Sequence, residues 1–73
     1  TIQAELASHN ELQEEIRANY WSMNVFQQRA NLLRQQGRWE EAELNEAYAQ
    51  WYAQRYIDAV TQLRDLLAEP WTP

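Results

Sequence analysis

The sequence predicts an all-α fold, a two-helix antiparallel hairpin, and three observations lead there. Gly37 is the only glycine in 73 residues and stands at their midpoint, and no proline occurs before Pro70, so nothing interrupts a helix on either side. Apolar residues recur at spacings of three and four through both halves, the period of a helical face. The run from Leu33 to Ala42 reads as one helix closing on a left-handed glycine and a second opening with Glu40 and Glu41 in its first turn, where the helix dipole favours acids.

Residues 1–7 are helix-compatible but out of register with the stripe that follows, and read as an N-terminal arm. Ser8-His9-Asn10-Glu11 matches a capping box, in which the serine hydroxyl accepts from the Glu11 amide and the glutamate reaches back to the Ser8 amide. Helix 1 is therefore placed at about 9–36, with Thr1 as the alternative cap if the arm continues the helix. Helix 2 is placed at about 38–68, because Glu69 precedes Pro70 and is steered away from helical geometry. Pro70-Trp71-Thr72-Pro73 form a short tail, with Trp71 placed either over Leu6 and His9 or as a hook for a partner. The whole of 1–73 is one domain, a thin rod with helices on the order of 40 Å long.

One stripe on each helix forms the seam. Leu12, Ile16, Met23, Phe26, Ala30 and Leu33, with the polar Asn19 among them, face Trp39, Ala42, Ala49, Ala53, Tyr56, Val60, Leu63 and Leu67. Folding at Gly37 opposes Leu33 with Ala42, Phe26 with Ala49, Ile16 with Val60 and Leu12 with Leu63. Glu46 falls within the second stripe, where a carboxylate is costly unless paired, and Arg29 and Arg34 are the available cations on the opposing stretch.

Apolar residues remain after that seam is closed. Ala18, Trp21, Val25 and Leu32 make a further stripe on helix 1, and Leu44, Tyr48, Trp51, Ala59 and Leu66 make one on helix 2, with Tyr52 between its two stripes. Trp51 and Arg55 are one turn apart, in reach of a cation–π contact. A surface helix needs one apolar face and these have two, so the hairpin is expected to complete a four-helix bundle, by dimerisation or by docking on a larger protein. Trp21, Val25, Leu32, Leu44, Tyr48, Trp51, Tyr52 and Arg55 are the expected partner interface, rich in the Trp, Tyr and Arg that dominate binding hot spots.

Composition narrows the classes of function. Eleven acids against six arginines, with no lysine, give a net charge of -5, which disfavours nucleic acid and anionic membranes as partners. No apolar run is long enough to span a membrane and no basic segment leads into a hydrophobic one, so a soluble, cytoplasmic setting is the expectation. The absence of cysteine excludes disulfides and thiolate metal sites. His9 has Glu5 one turn before it, but a lone pair falls short of a zinc site, so no metal or cofactor is expected. Ser8 serves better as a cap than as a nucleophile, Ser22 is far along the rod from His9, and one glycine cannot make a phosphate loop, so the chain reads as non-catalytic.

The turn region resembles a single tetratricopeptide hairpin: Phe26, Ala30, Leu33, Gly37, Trp39, Ala42 and Ala49 fall at positions that family uses for packing and turning, over about a third of the chain. It departs from the family at Arg29, Glu46 and Gln54, and the resemblance implies no peptide-binding residues. The expected function is thus a protein–protein interaction module or small structural subunit. The alternatives are an assembly chaperone or adaptor for secretion or phage, and a nucleic-acid regulator or acidic mimic built on a hairpin dimer. That last class needs a basic face, and Arg17, Arg29, Arg34, Arg38, Arg55 and Arg64 form no single stripe.

Overall fold

A computed structural model describes residues 2–68 as two α-helices, α1 (Ile2–Gln35) and α2 (Trp39–Ala68), folded antiparallel about Gln36, Gly37 and Arg38. The turn is a Schellman motif. Gly37 adopts φ +75°, its amide donates to the Arg34 carbonyl at 3.0 Å, and the Arg38 amide donates to the Leu33 carbonyl at 2.9 Å. Arg38 then opens α2: its carbonyl accepts from the Ala42 amide at 3.0 Å, while its guanidinium clasps the Glu41 carboxylate with bonds of 3.1 and 2.5 Å. This clasp replaces the short polar cap that a helix start usually carries.

The N-terminal boundary differs from the sequence expectation. Residues expected to form an arm are the first turns of α1, which begins at Ile2, and Ser8 lies inside the helix instead of capping it. The segment contains only residues compatible with helix, and an interior serine costs a few tenths of a kcal/mol, less than giving up the backbone bonds of two turns. α2 is described as far as Ala68, and it runs unbroken through Gln54, where a tetratricopeptide unit would close. The Thr1 cap, Glu69 and the Pro70–Pro73 tail with Trp71 lie outside the described residues.

The core is a line of alanines. Ala30 and Ala42 are fully buried, Ala49 and Ala59 nearly so, and none of the larger described side chains is completely enclosed. Small side chains let two helices approach closely, but each methyl group removes little apolar surface from water. Leu12, Ile16, Met23, Phe26, Leu33, Tyr56, Val60 and Leu63 are half-buried along the flanks of this line. Three positions depart from the expected seam: Ala59 enters it from the outer stripe, while Trp39, 61% exposed, and Leu67 stay outside. Trp39 is the first residue of α2 and lines a shallow groove at the turn with Gly37, Arg38, Glu40 and Glu41.

The result is a rod of 58 × 14 × 12 Å with a radius of gyration of 16.6 Å, where a compact domain of this length has about 11 Å. Its accessible surface is 5608 Å², against about 4,800 Å² for a compact monomer of 8.8 kDa. In the middle of the seam Asn19 is only 6% exposed, and its side-chain Nδ2 has no hydrogen-bond partner. A buried unsatisfied donor costs about 1–3 kcal/mol.

Two stability measurements check this description. A Cβ at Gly37 would meet open space, so Gly37→Ala should lose only the left-handed backbone penalty, about 1–2 kcal/mol in urea titration, and Gly37→Asn should lose less. Replacing the orphaned amide, as in Asn19→Leu, should stabilise the hairpin by about 1–2 kcal/mol; an unchanged or lowered melting temperature would show that the amide is satisfied in solution.

Candidate protein interaction surface

One flank of the alanine line is aromatic. Phe26 of α1 reaches across to α2, its ring 5.2 Å from Tyr48 and stacked on Tyr52 at 5.6 Å with an interplanar angle of 10°. Trp51 meets the edge of Tyr52 at 4.9 Å, and the Arg55 guanidinium sits over the Trp51 ring at 4.8 Å. Arg29 caps the α1 side, 5.5 Å from the Phe26 centroid. Such offset and edge contacts are favoured by the ring quadrupole, and together they make a continuous plate.

The plate packs on Phe26 at its inner side and is open on its outer side. Leu44, Ala47, Tyr48, Trp51 and Tyr52 line a shallow groove of about 390 Å³. Trp51 is 54% exposed, with Tyr48 and Leu44 exposed to a similar degree.

Of the expected interface residues, Leu44, Tyr48, Trp51, Tyr52 and Arg55 come together here, and Val25 is half-buried on α1 next to Phe26 in sequence. Trp21, 68% exposed, and Leu32 are not drawn into the plate and stack on no ring among the described residues. Phe26 is the residue sequence reasoning left out of this surface: it is expected opposite Ala49 in the seam, and its ring packs on Tyr48 and Tyr52, which flank Ala49 by one residue and by three. The signal available in the sequence is a large residue set opposite an alanine with tyrosines on either side.

On the opposite flank the chain solves its one charged seam position. Glu46 pairs with Arg34, one of the two expected cations, at roughly one-third side-chain exposure for each. The hydrogen bond from Arg34 holds the Glu46 carboxyl below its ordinary range, outweighing the opposing effect of desolvation, and Glu46 in turn raises Arg34. Arg29, the other candidate, is committed to Phe26. Tyr20 and Tyr56 also meet across the helices, with centroids 5.6 Å apart.

Among the described residues, no three His, Asp or Glu side chains converge in a way that could hold a metal ion, and no helix is long and apolar enough to cross a membrane. No known protein family, curated protein or solved structure matches this chain.

The Arg34–Glu46 pair makes a pH prediction. A carboxyl whose folded pKa is depressed contributes stability that is complete above its unfolded value and is lost as pH falls through the folded one. Thermal melts of the native chain and of Glu46→Gln should therefore differ most at neutral pH and converge as pH drops below the usual glutamate range. A constant difference across that range would show that the pair is not formed in solution.

Proposed function

We propose that this chain is a non-catalytic association module, an α-hairpin that works by burying its aromatic plate against another protein surface. The observation that carries this reading is the inversion of burial: the interior of the hairpin is alanine, while Trp51, Tyr48 and Leu44 stand about half in water. A monomeric fold places its largest apolar side chains inside, and an exposed contiguous group of them marks a surface meant to be covered. The makeup of the plate fits, since Tyr, Trp and Arg are enriched at hot spots while the lysine that interfaces disfavour is missing from the chain.

Charge supports a protein as the partner. At -5 the chain repels phosphate backbones, and its exposed arginines near the plate, Arg29 and Arg55, are engaged with aromatic rings. The accessible surface in excess of a compact monomer, about 800 Å², equals what one partner contributes to an interface of standard size.

The test is truncation of the plate. Trp51→Ala should weaken association by about 2 kcal/mol or more, roughly 30-fold, while circular dichroism retains most of the helical signal. Trp21→Ala should have a smaller effect, because Trp21 stands apart from the plate. A chain that sediments at micromolar concentration as a stable, cooperatively melting monomer would defeat the proposal, since its exposed face would then need no cover.

A further inference from the structure

The plate is half of a longer surface. Along α2 the aromatic groove is followed by a second one lined by Glu15, Arg55, Asp58, Ala59 and Gln62. Arg55 joins the two, with its guanidinium over Trp51 and 3.7 Å from the Glu15 carboxylate of α1. Both helices carry an unbroken row of alternating four- and three-residue steps on this side. On α1 the row is Glu11, Glu15, Ala18, Ser22, Val25 and Arg29; on α2 it is Leu44, Tyr48, Trp51, Arg55, Asp58 and Gln62. The Glu15–Arg55 contact, together with the packing of Phe26 beside the α1 row, puts both rows on one face. A step averaging about 3.5 residues is the period with which helices mesh in left-handed bundles, so the surface is cut to receive helices.

The two ends of the face are opposites. The half nearer the turn is bulky and carries Arg29, with Leu44, Tyr48 and Trp51 on α2. The half nearer the open end is acidic, with Glu11 and Glu15 on α1 and Asp58 on α2. Ala18 and Ser22 on α1, and Trp51 and Arg55 on α2, stand at the middle of the two rows. A surface that carries rings and a cation at one end and carboxylates at the other is complementary to itself turned end for end.

Building on the association reading above, we propose that the occupant of this face is a second copy of the chain, related by a two-fold axis perpendicular to the rod that passes between Ala18 and Ser22 of α1 and between Trp51 and Arg55 of α2. In that arrangement the two hairpins overlap along their full length as an antiparallel four-helix bundle. The aromatic plate of each copy lies over the acidic half of the other, and Arg29 faces the partner copy's Glu11. A parallel pairing would set acid against acid and ring against ring. Complementarity of this kind fixes orientation as well as affinity.

Sedimentation equilibrium of the 8.8 kDa chain should give the dimer mass. Under air oxidation an equimolar mixture of Ala18→Cys and Ser22→Cys chains should form a covalent heterodimer, because the axis sets each position opposite the other, while Gln36→Cys at the turn should not cross-link. Arg29→Glu should raise the dissociation constant about tenfold or more, and the exchange Arg29→Glu with Glu11→Arg should restore it. A dimer that cross-links through Gln36→Cys instead would be parallel; this overturns the two-fold arrangement and leaves the association reading intact. A monomer that melts without cooperativity would also overturn it, making a different protein the occupant. A monomer that folds cooperatively alone would overturn both.

Discussion

Close contact between the helices along Ala30, Ala42, Ala49 and Ala59 is the constraint from which the other features of this molecule follow. These four methyl-bearing positions are the apolar ones that α1 and α2 enclose, and small side chains there allow close approach. The larger apolar groups among the described residues are covered only in part, along the flanks. On one flank that arrangement gathers Phe26, Tyr48, Tyr52 and Trp51 into a plate; on the other it leaves Tyr20 on Tyr56 and Arg34 on Glu46. The exposed aromatic surface is thus a consequence of the seam and not an accident of composition.

The same constraint sets the energetic character of the hairpin. Hydrophobic stabilisation scales with area removed from water, and an alanine line removes little of it, so the two-helix unit is lightly held relative to a domain of equal length with a leucine core. Asn19 weakens the seam further by burying an amide donor without a partner. Against this stand the Schellman turn, the Arg38–Glu41 clasp and many one-turn side-chain bonds such as Gln54 to Asp58, which are local and modest because they are exposed. A rod so built gains most by covering its aromatic flank, and this links marginal internal packing to the proposed role in association.

Charge placement adds direction to that proposed role. The net charge of -5 is not spread evenly over the proposed association face: arginines sit among the rings, and acids lie beyond them toward the open end. Cations over aromatic faces keep a charged rim close to an apolar surface without a buried unpaired charge. Such a rim adds little affinity by itself but rejects misaligned partners.

The sequence alone determined the elements. A single central glycine, the lack of proline before Pro70 and the apolar spacing were enough for two antiparallel helices and a left-handed Gly37, because these rest on backbone sterics and local capping. It also offered Arg34, alongside Arg29, as a partner for Glu46 and placed Arg55 in reach of Trp51, since both follow from register and one-turn spacing. It misplaced the start of α1, because a capping box and a continuing helix are locally near-equal and the outcome depends on which backbone bonds survive. Only the tertiary structure decided that Ala59 belongs to the seam, that Trp39 and Leu67 do not, and that the Phe26 ring packs on two tyrosines. Those outcomes turn on how closely the helices approach, and that distance is fixed jointly by side chains on both helices, which no single stripe read along one of them contains.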